Sequence, residues 1–119
     1  MKTSSFFKAP QEGRISIARS MPRGHSCPTY RALAPGPWFK TVAYEKYREL
    51  YFSQLNKLNP TAVMADLHEL AQGHEPILLC WEKLDTPEDW CHRRMVAEWF
   101  KTELNIDVPE FSKVPPKLL

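Results

Sequence analysis

The stretch PILLCW, residues 76–81, decides how we expect this chain to fold. Its apolar residues follow one another without polar residues between them, a pattern typical of a strand that is buried on both faces. Such a strand lies at the centre of a sheet. The sequence therefore predicts a central, mainly parallel strand at this position.

Helical patterns lie on both sides of this strand. Residues 41–57 contain neither Gly nor Pro and carry apolar residues at three- and four-residue steps, which predicts a helix. Asn59 and Pro60 supply an N-cap and a first-turn proline for a second helix. Residues 86–89 (TPED) offer the same signal with acids in the first turn, so we predict a third helix from there to about residue 104.

Two further strands complete the predicted fold. Residues 15–18 (ISIA) are short and β-branched, and residues 106–109 (IDVP) can supply a last strand. The fold class expected is α/β: a small three-layer domain with a short, mainly parallel sheet of about three strands covered by about three helices. We expect residues 14–111 to form one domain, residues 1–13 a flexible N-terminal arm and residues 112–119 a C-terminal tail.

Composition and charge limit the function classes. The residues are 43% hydrophobic and 25% charged, as in folded globular proteins. There is no apolar window long enough to cross a membrane, and residues 1–14 lack the apolar stretch of a secretory signal, so a cytoplasmic location without a membrane partner is expected. Residues 1–48 carry a charge of +7 and residues 49–119 a charge of −5. This favours an anionic partner for the first part, or a basic face that complements the acidic one.

The three cysteines do not predict a disulfide framework, because their number is odd and small. We expect reduced thiols. Cys91 and His92 on one helix would project about 100° apart and would rarely serve one metal ion, so we expect no metal and no other cofactor. A nucleophilic Cys80 is also disfavoured, since residues 81–90 contain four acids and no arginine.

The expected site lies outside the carboxyl ends of the strands, where ligands of open parallel sheets bind. Those ends lead into the most polar segments of the chain. Arginines would bind a phosphate or another anion, and a histidine and a carboxylate would transfer protons. The anion-binding candidates are Arg19, Arg23 and Arg93, the catalytic candidates are His92 and Glu82, and the thiols near the site are Cys80 and Cys91. Packing roles for the cysteines and a structural hydrogen bond for His92 are the alternatives.

Four segments of the sequence resemble one known family. They are ISIARSMPRG (15–24), YRALAPGPWF (30–39), LLCWE (78–82) and WCHRRMVAEW (90–99). Together they are similar to the small bacterial and phage proteins of domain-of-unknown-function family 488. The most specific part is a strand-end Leu-Cys-x-Glu paired with a following Cys-His-Arg. The resemblance implies an α/β fold and supports the site, but it implies no reaction, and this chain inserts residues 83–90 between the two halves of the motif.

Two functions of different classes remain open from the sequence. The first is a small nucleotide- or nucleic-acid-processing enzyme, whose partner is a phosphorylated small molecule or a nucleic-acid end. The second is a non-catalytic phage or bacterial interaction protein that uses the basic, aromatic residues of segment 14–40. A homodimer is expected as a way to cover the edges of a three-stranded sheet.

Overall fold

A computed structural model describes residues 1–86 and 88–111 of the chain. Within these residues there are three strands and three α-helices, so the predicted α/β fold class is confirmed. Two short 3₁₀ helices, Arg31–Leu33 and Pro37–Lys40, lie in the loop before the first α-helix. The strands are β1 (Lys2–Ser5), β2 (Arg14–Ser16) and β3 (Ile77–Cys80), and the helices are α1 (Tyr44–Leu55), α2 (Pro60–Leu70) and α3 (His92–Leu104).

The sheet is parallel, and β3 is its central strand. The strand order is β1-β3-β2, with Thr3 and Ile15 both opposite Leu78. Every residue of β3 is buried. The central buried strand expected from the run PILLCW is therefore confirmed, because an apolar run is stable only where both faces are covered.

The two faces of the sheet pack against different material. The larger core cluster contains Ile15, Ile17 and Leu78 together with the buried apolar residues of all three helices. Leu79 belongs to a smaller cluster, whose other members include Phe6. This second face is thus covered by segments outside the helices.

The N-terminal segment is not the flexible arm that we expected for residues 1–13. Residues 2–5 form β1, and Thr3, Ser4 and Ser5 are at most 1% exposed. The Oγ1 of Thr3 donates to Glu110 at 2.6 Å, so a buried hydroxyl has a partner 107 residues away. The backbone ladder pairs the strand with β3, and Glu110 satisfies the Thr3 hydroxyl, whereas the buried Oγ of Ser5 has no hydrogen-bond partner among the described residues.

The strand predicted at residues 106–109 is absent, and β1 takes its place as the third strand of the sheet. Beside β1 the structure has an isolated bridge between Thr3 and Glu110. The carbonyl of Pro109 accepts from the N–H of Thr3 at 3.0 Å, but proline has no N–H with which to continue a ladder. The C-terminal tail expected at residues 112–119 lies outside the described residues.

Helix α3 begins later than predicted. The side chain of Asp89 caps a separate turn, since its carboxylate accepts the N–H groups of Asp85 at 3.0 Å and Thr86 at 2.9 Å. The helix starts after Cys91, which has extended backbone angles (φ −150°, ψ 148°) and serves as its N-cap. The predicted helix start at residues 86–89 was therefore wrong. Of these four residues, Pro87 lies outside the described part of the chain.

The two earlier helices agree with the sequence. Helix α1 lies inside the predicted range 41–57. Helix α2 starts at Pro60, and Asn59 Oδ1 accepts the N–H of Ala62 at 3.1 Å, as the N-cap signal predicted. In the part of the chain that is described, no helix has the length and apolar character that crossing a membrane requires.

Both outer edges of the sheet carry an isolated bridge. Thr3 in β1 pairs with Glu110, and Ser16 in β2 pairs with Thr29. These contacts cover part of the edges that led us to expect a homodimer, because backbone groups paired within the chain are not free for a second copy. The homodimer remains a prediction, and the partly covered edges of the sheet give less reason to expect it.

Candidate functional site

A pocket of about 750 Å³ lies at the carboxyl end of β3. Its wall comes from residues that follow β2, from the second 3₁₀ helix, from α1 and from the connection between β3 and α3. Volumes of roughly 300–1,000 Å³ are usual for small-molecule sites. The pocket therefore has the expected place and a suitable size for a small ligand.

The wall of the pocket combines aromatic rings with cationic side chains. The rings belong to Phe39, Tyr47, Trp81 and Trp90, and the cations to Arg19, Lys40 and Lys83. Trp90 packs edge-on against Tyr47 with ring centroids 4.7 Å apart. The indole N–H of Trp81 donates to the carbonyl of Ser20 at 2.8 Å, which joins the loop after β3 to the loop after β2.

Arg19 is the predicted arginine that lines the pocket. Its guanidinium lies 5.4 Å from the centre of the Phe39 ring and donates through Nη1 to the carbonyl of Pro35 at 2.9 Å. The residue is exposed. Nε and Nη2 have no partner within the described residues, so the group retains donors for an anion.

The floor of the pocket is formed by Cys80, Cys91 and His92, which we call the floor cluster. The two Sγ atoms are in bonding contact, whereas the sequence led us to expect free thiols. Nδ1 of His92 lies 3.6 Å from the Sγ of Cys91, and Oε2 of Glu82 lies 3.3 Å from the same sulfur. The two cysteines predicted to lie near the site are thus within it.

His92 is buried and has a defined tautomer. Its Nε2 lies 2.7 Å from the carbonyl oxygen of Ile17, and because a carbonyl only accepts, Nε2 carries the proton. Burial, opposed by the hydrogen bond to Ile17 and assisted by the charge of Arg93, lowers the pKa of His92 to about 4. The imidazole is therefore neutral near pH 7, and its free lone pair, on Nδ1, faces sulfur. His92 is placed to accept from or bind to the floor cluster rather than to act as an acid.

Arg93 does not serve as an anion site. Its guanidinium is 1% exposed and pairs with Glu110 in a bidentate manner, Nε to Oε1 at 3.0 Å and Nη2 to Oε2 at 2.7 Å. Nη1 donates to the carbonyl of Glu82 at 2.7 Å and to the Sγ of Cys80 at 3.0 Å. Four contacts occupy the group, so the expectation that Arg93 binds a ligand anion was wrong. The residue orders the connection after β3 instead.

Arg23 is also outside the pocket. It is exposed and does not line the cavity. The hydrogen bond from Trp81 holds the loop at the pocket at Ser20, and Arg23 lies three residues beyond that point. Of the three predicted arginines, the structure places one at the site.

Glu82 lines the pocket, as predicted, and its carboxylate is exposed. Burial, and then the negative charge of Glu82, raise the pKa of Tyr47. The carboxylate also lies 3.3 Å from the Sγ of Cys91. Glu82 remains a group that can accept a proton from a thiol or from a bound ligand.

Sequence reasoning missed Lys40, Lys83 and Glu110. The two lysines replace the absent arginines in the pocket wall, and both lie within 6 Å of an aromatic ring, Lys40 over Phe39 at 5.4 Å and Lys83 over Phe7 at 5.6 Å. The dipeptide Phe39-Lys40 inside a proline-rich loop was an available signal. For Glu110 there was no local signal, because its partners Thr3 and Arg93 are distant in the sequence.

Compared with family models, with curated proteins and with solved structures, the chain matches none of them. The resemblance to family 488 therefore stays a prediction. The function has to be argued from the pocket itself.

Proposed function

We propose that the pocket binds a phosphorylated small molecule, and that a nucleotide is the class that suits it best. The observation that carries the proposal is the joint presence of cations and aromatic rings in one cavity of about 750 Å³. Aromatic faces stack on bases, and guanidinium and ammonium groups bind phosphate oxygens.

The anion would be held by Arg19, Lys40 and Lys83 rather than by the arginines expected from the sequence. Arg19 carries most of this argument because its guanidinium is fixed by Pro35 and by the ring of Phe39. A fixed planar fork loses less conformational entropy on binding than a free lysine. The acids Glu88 and Asp89 also line the pocket and would favour a polar, uncharged part of the ligand near them.

A reaction on that ligand would use Glu82 for proton transfer. Its carboxylate is exposed to the pocket and lies beside the Cys91 sulfur. His92 would contribute through its contact with Cys91, because its Nε2 is held by Ile17. The chemistry proposed here is therefore centred on Glu82 and the floor cluster.

The test is a binding titration with three compounds: a nucleoside 5′-monophosphate, the matching nucleoside and inorganic phosphate. Binding is measured by the change in fluorescence of the pocket tryptophans. We expect the nucleotide to bind more tightly than either part alone. Replacing Arg19 by Met should weaken nucleotide binding about 10- to 100-fold, because a charged hydrogen bond is lost. Arg31→Met is the matched control, since Arg31 is exposed and does not line the pocket.

The interaction-protein alternative gives a different result in the same titration. A short single-stranded oligonucleotide would then bind with strong salt dependence, and Arg19→Met and Arg31→Met would weaken it equally. Several aromatic side chains of segment 14–40 already have partners within the fold. The hydroxyl of Tyr30 donates to Oδ2 of Asp66 at 2.6 Å, and the ring centroids of Trp38 and Tyr47 lie 5.0 Å apart. Such engagement favours the pocket over an open binding surface.

A further inference from the structure

We propose that, in the reduced protein, the floor cluster of Cys80, Cys91 and His92 binds one thiophilic divalent metal ion, of which zinc is the representative. One ligand atom from each residue lies within 4.8 Å of the other two. All three residues are buried, at 0%, 2% and 6% exposure. Two thiolates and one imidazole form a ligand set that selects zinc over the hard cations magnesium and calcium.

The sequence argument against a metal ion depended on the wrong start of α3. It assumed that Cys91 and His92 both belong to a helix and diverge by about 100°. In the structure Cys91 is the extended N-cap and His92 is the first helical residue. The backbone turns between them, and both side chains therefore reach the end of β3, where Cys80 lies.

His92 has the orientation of a metal ligand. Histidine ligands usually donate their second ring N–H to a carbonyl or carboxylate, which fixes the ring and the tautomer. Here Nε2 donates to the carbonyl of Ile17 at 2.7 Å, and the lone pair of Nδ1 faces Cys91. A histidine that served packing alone would not need this lone pair directed at the sulfur of Cys91.

The spacing of the two cysteines suits a shared ion. Their Cα atoms lie 7.3 Å apart, beyond the range of about 4.4–6.8 Å usual for disulfides. Donors bound to one zinc ion at about 2.0–2.3 Å lie roughly 3.3–3.8 Å from each other in a tetrahedron. The three donor atoms already lie within 4.8 Å of one another, and after reduction the two sulfurs have to separate from their bonding contact to meet one ion.

Arg93 favours the thiolate form of the cysteines. Its Nη1 lies 3.0 Å from the Sγ of Cys80 and its charge is balanced by Glu110. A hydrogen bond from a cation stabilises a thiolate that also binds a metal ion. Two thiolates balance the charge of a divalent ion, and the Arg93–Glu110 pair is itself neutral, while the carboxylate of Glu82, 3.3 Å from the Sγ of Cys91, adds one negative charge on the pocket side.

Metal binding requires the dithiol, in which each cysteine releases one proton when its thiolate binds the ion. From the disulfide, a phosphine reductant first supplies two electrons that break the S–S bond, water supplies two protons to the thiols, and the oxygen of that water leaves as the phosphine oxide. Because the cluster lines the pocket, three protein ligands would leave a fourth position facing the cavity, as in catalytic zinc sites. The metal proposal does not depend on the phosphorylated ligand proposed above.

The experiment titrates the full chain, reduced with a phosphine, with Co²⁺ and then with Zn²⁺. We expect one Co²⁺ per chain, a thiolate-to-cobalt charge-transfer absorption, and displacement of Co²⁺ by Zn²⁺. Cys91→Ser and His92→Gln should each weaken binding by more than the roughly 10- to 100-fold that loss of an outer-shell partner costs. His92→Gln retains a donor for Ile17 and removes the ligand nitrogen.

The matched control is Cys27→Ser, because Cys27 is the free cysteine of the described residues and is half-buried beside Met21 at 3.7 Å. It should bind Co²⁺ as the unchanged chain does. Circular dichroism and thermal melts of the metal-free variants separate loss of binding from loss of folding. The proposal is overturned if the reduced unchanged chain gives no charge-transfer absorption, or if a folded Cys91→Ser or His92→Gln variant binds Co²⁺ with unchanged affinity.

Discussion

Two arginines at the carboxyl end of the sheet occupy contrasting surroundings. Arg93 is on the closed side, where Glu110 and the carbonyl of Glu82 bind its donors and the side chain is 1% exposed. Arg19 is on the pocket side, exposed and held by Pro35 and the Phe39 ring. The role of a guanidinium near a predicted site therefore depends on which of its N–H donors are already hydrogen-bonded within the protein. Arg93 stabilises the fold, whereas Arg19 keeps donors that no group of the described residues occupies.

The largest expected effect comes from removing the closed arginine. Arg93→Met keeps much of the side-chain volume but leaves Glu110 and the carbonyl of Glu82 without their partner. Removing one member of a fully buried ion pair costs about 3–5 kcal/mol, and because the Glu110 side chain is 34% exposed and also accepts from Thr3, we expect a loss of about 3 kcal/mol. Urea unfolding should therefore show a loss of this size, which would amount to much of a small domain's stability.

Arg23→Met is the control for this prediction, because Arg23 is exposed. Its free energy of unfolding should change by no more than about 0.5 kcal/mol. Equal effects of the two substitutions would show that the closed side does not hold the fold as described.

A smaller loss of stability is expected from a substitution in β1, the strand that adjoins the closed side. Thr3 Oγ1 donates to Glu110 at 2.6 Å and accepts from Arg94 Nη1 at 2.9 Å. Thr3→Val preserves the shape and leaves both partners short of one bond, at a cost of about 1–3 kcal/mol. Thr102→Val, at an exposed position of α3, should change stability much less. If residues 1–13 were a loose arm, both variants would unfold at the same urea concentration.

The smallest effect on stability is expected on the pocket side. Arg19→Met removes one part-buried hydrogen bond and a contact with Phe39, so the free energy of unfolding should fall by no more than about 1 kcal/mol. The same variant should bind a nucleotide more weakly. A loss as large as that of Arg93→Met would remove the contrast between the two sides.

The parts of the fold that could be predicted depend on neighbours in the sequence. The apolar run of β3 and the Asn59-Pro60 start of α2 are local signals, and both match the structure. Strand β1 could not be found in this way. Its sequence, KTSS, is polar, and its burial is made possible by β3 and Glu110, both more than 70 residues away.

The candidate site shows the same limit. The sequence placed Arg19, Glu82, Cys80, Cys91 and His92 at the carboxyl end of the sheet, where they line one pocket. It could not show that Glu110 would occupy Arg93. It also mistook residues 86–89 for a helix start, because Asp89 caps a short turn with the same residues that signal an N-cap.

The central position of β3 has a consequence for how the chain folds during synthesis. Both β1 and β2 pair with a strand that ends at Cys80 and with no other strand of the sheet. No part of the sheet can therefore form until the ribosome has released about two thirds of the chain, although α1 and α2 are complete before then. Closing loops of this length slows folding. The nascent N-terminal strands consequently spend seconds without a partner, at synthesis rates of roughly 5–20 residues per second.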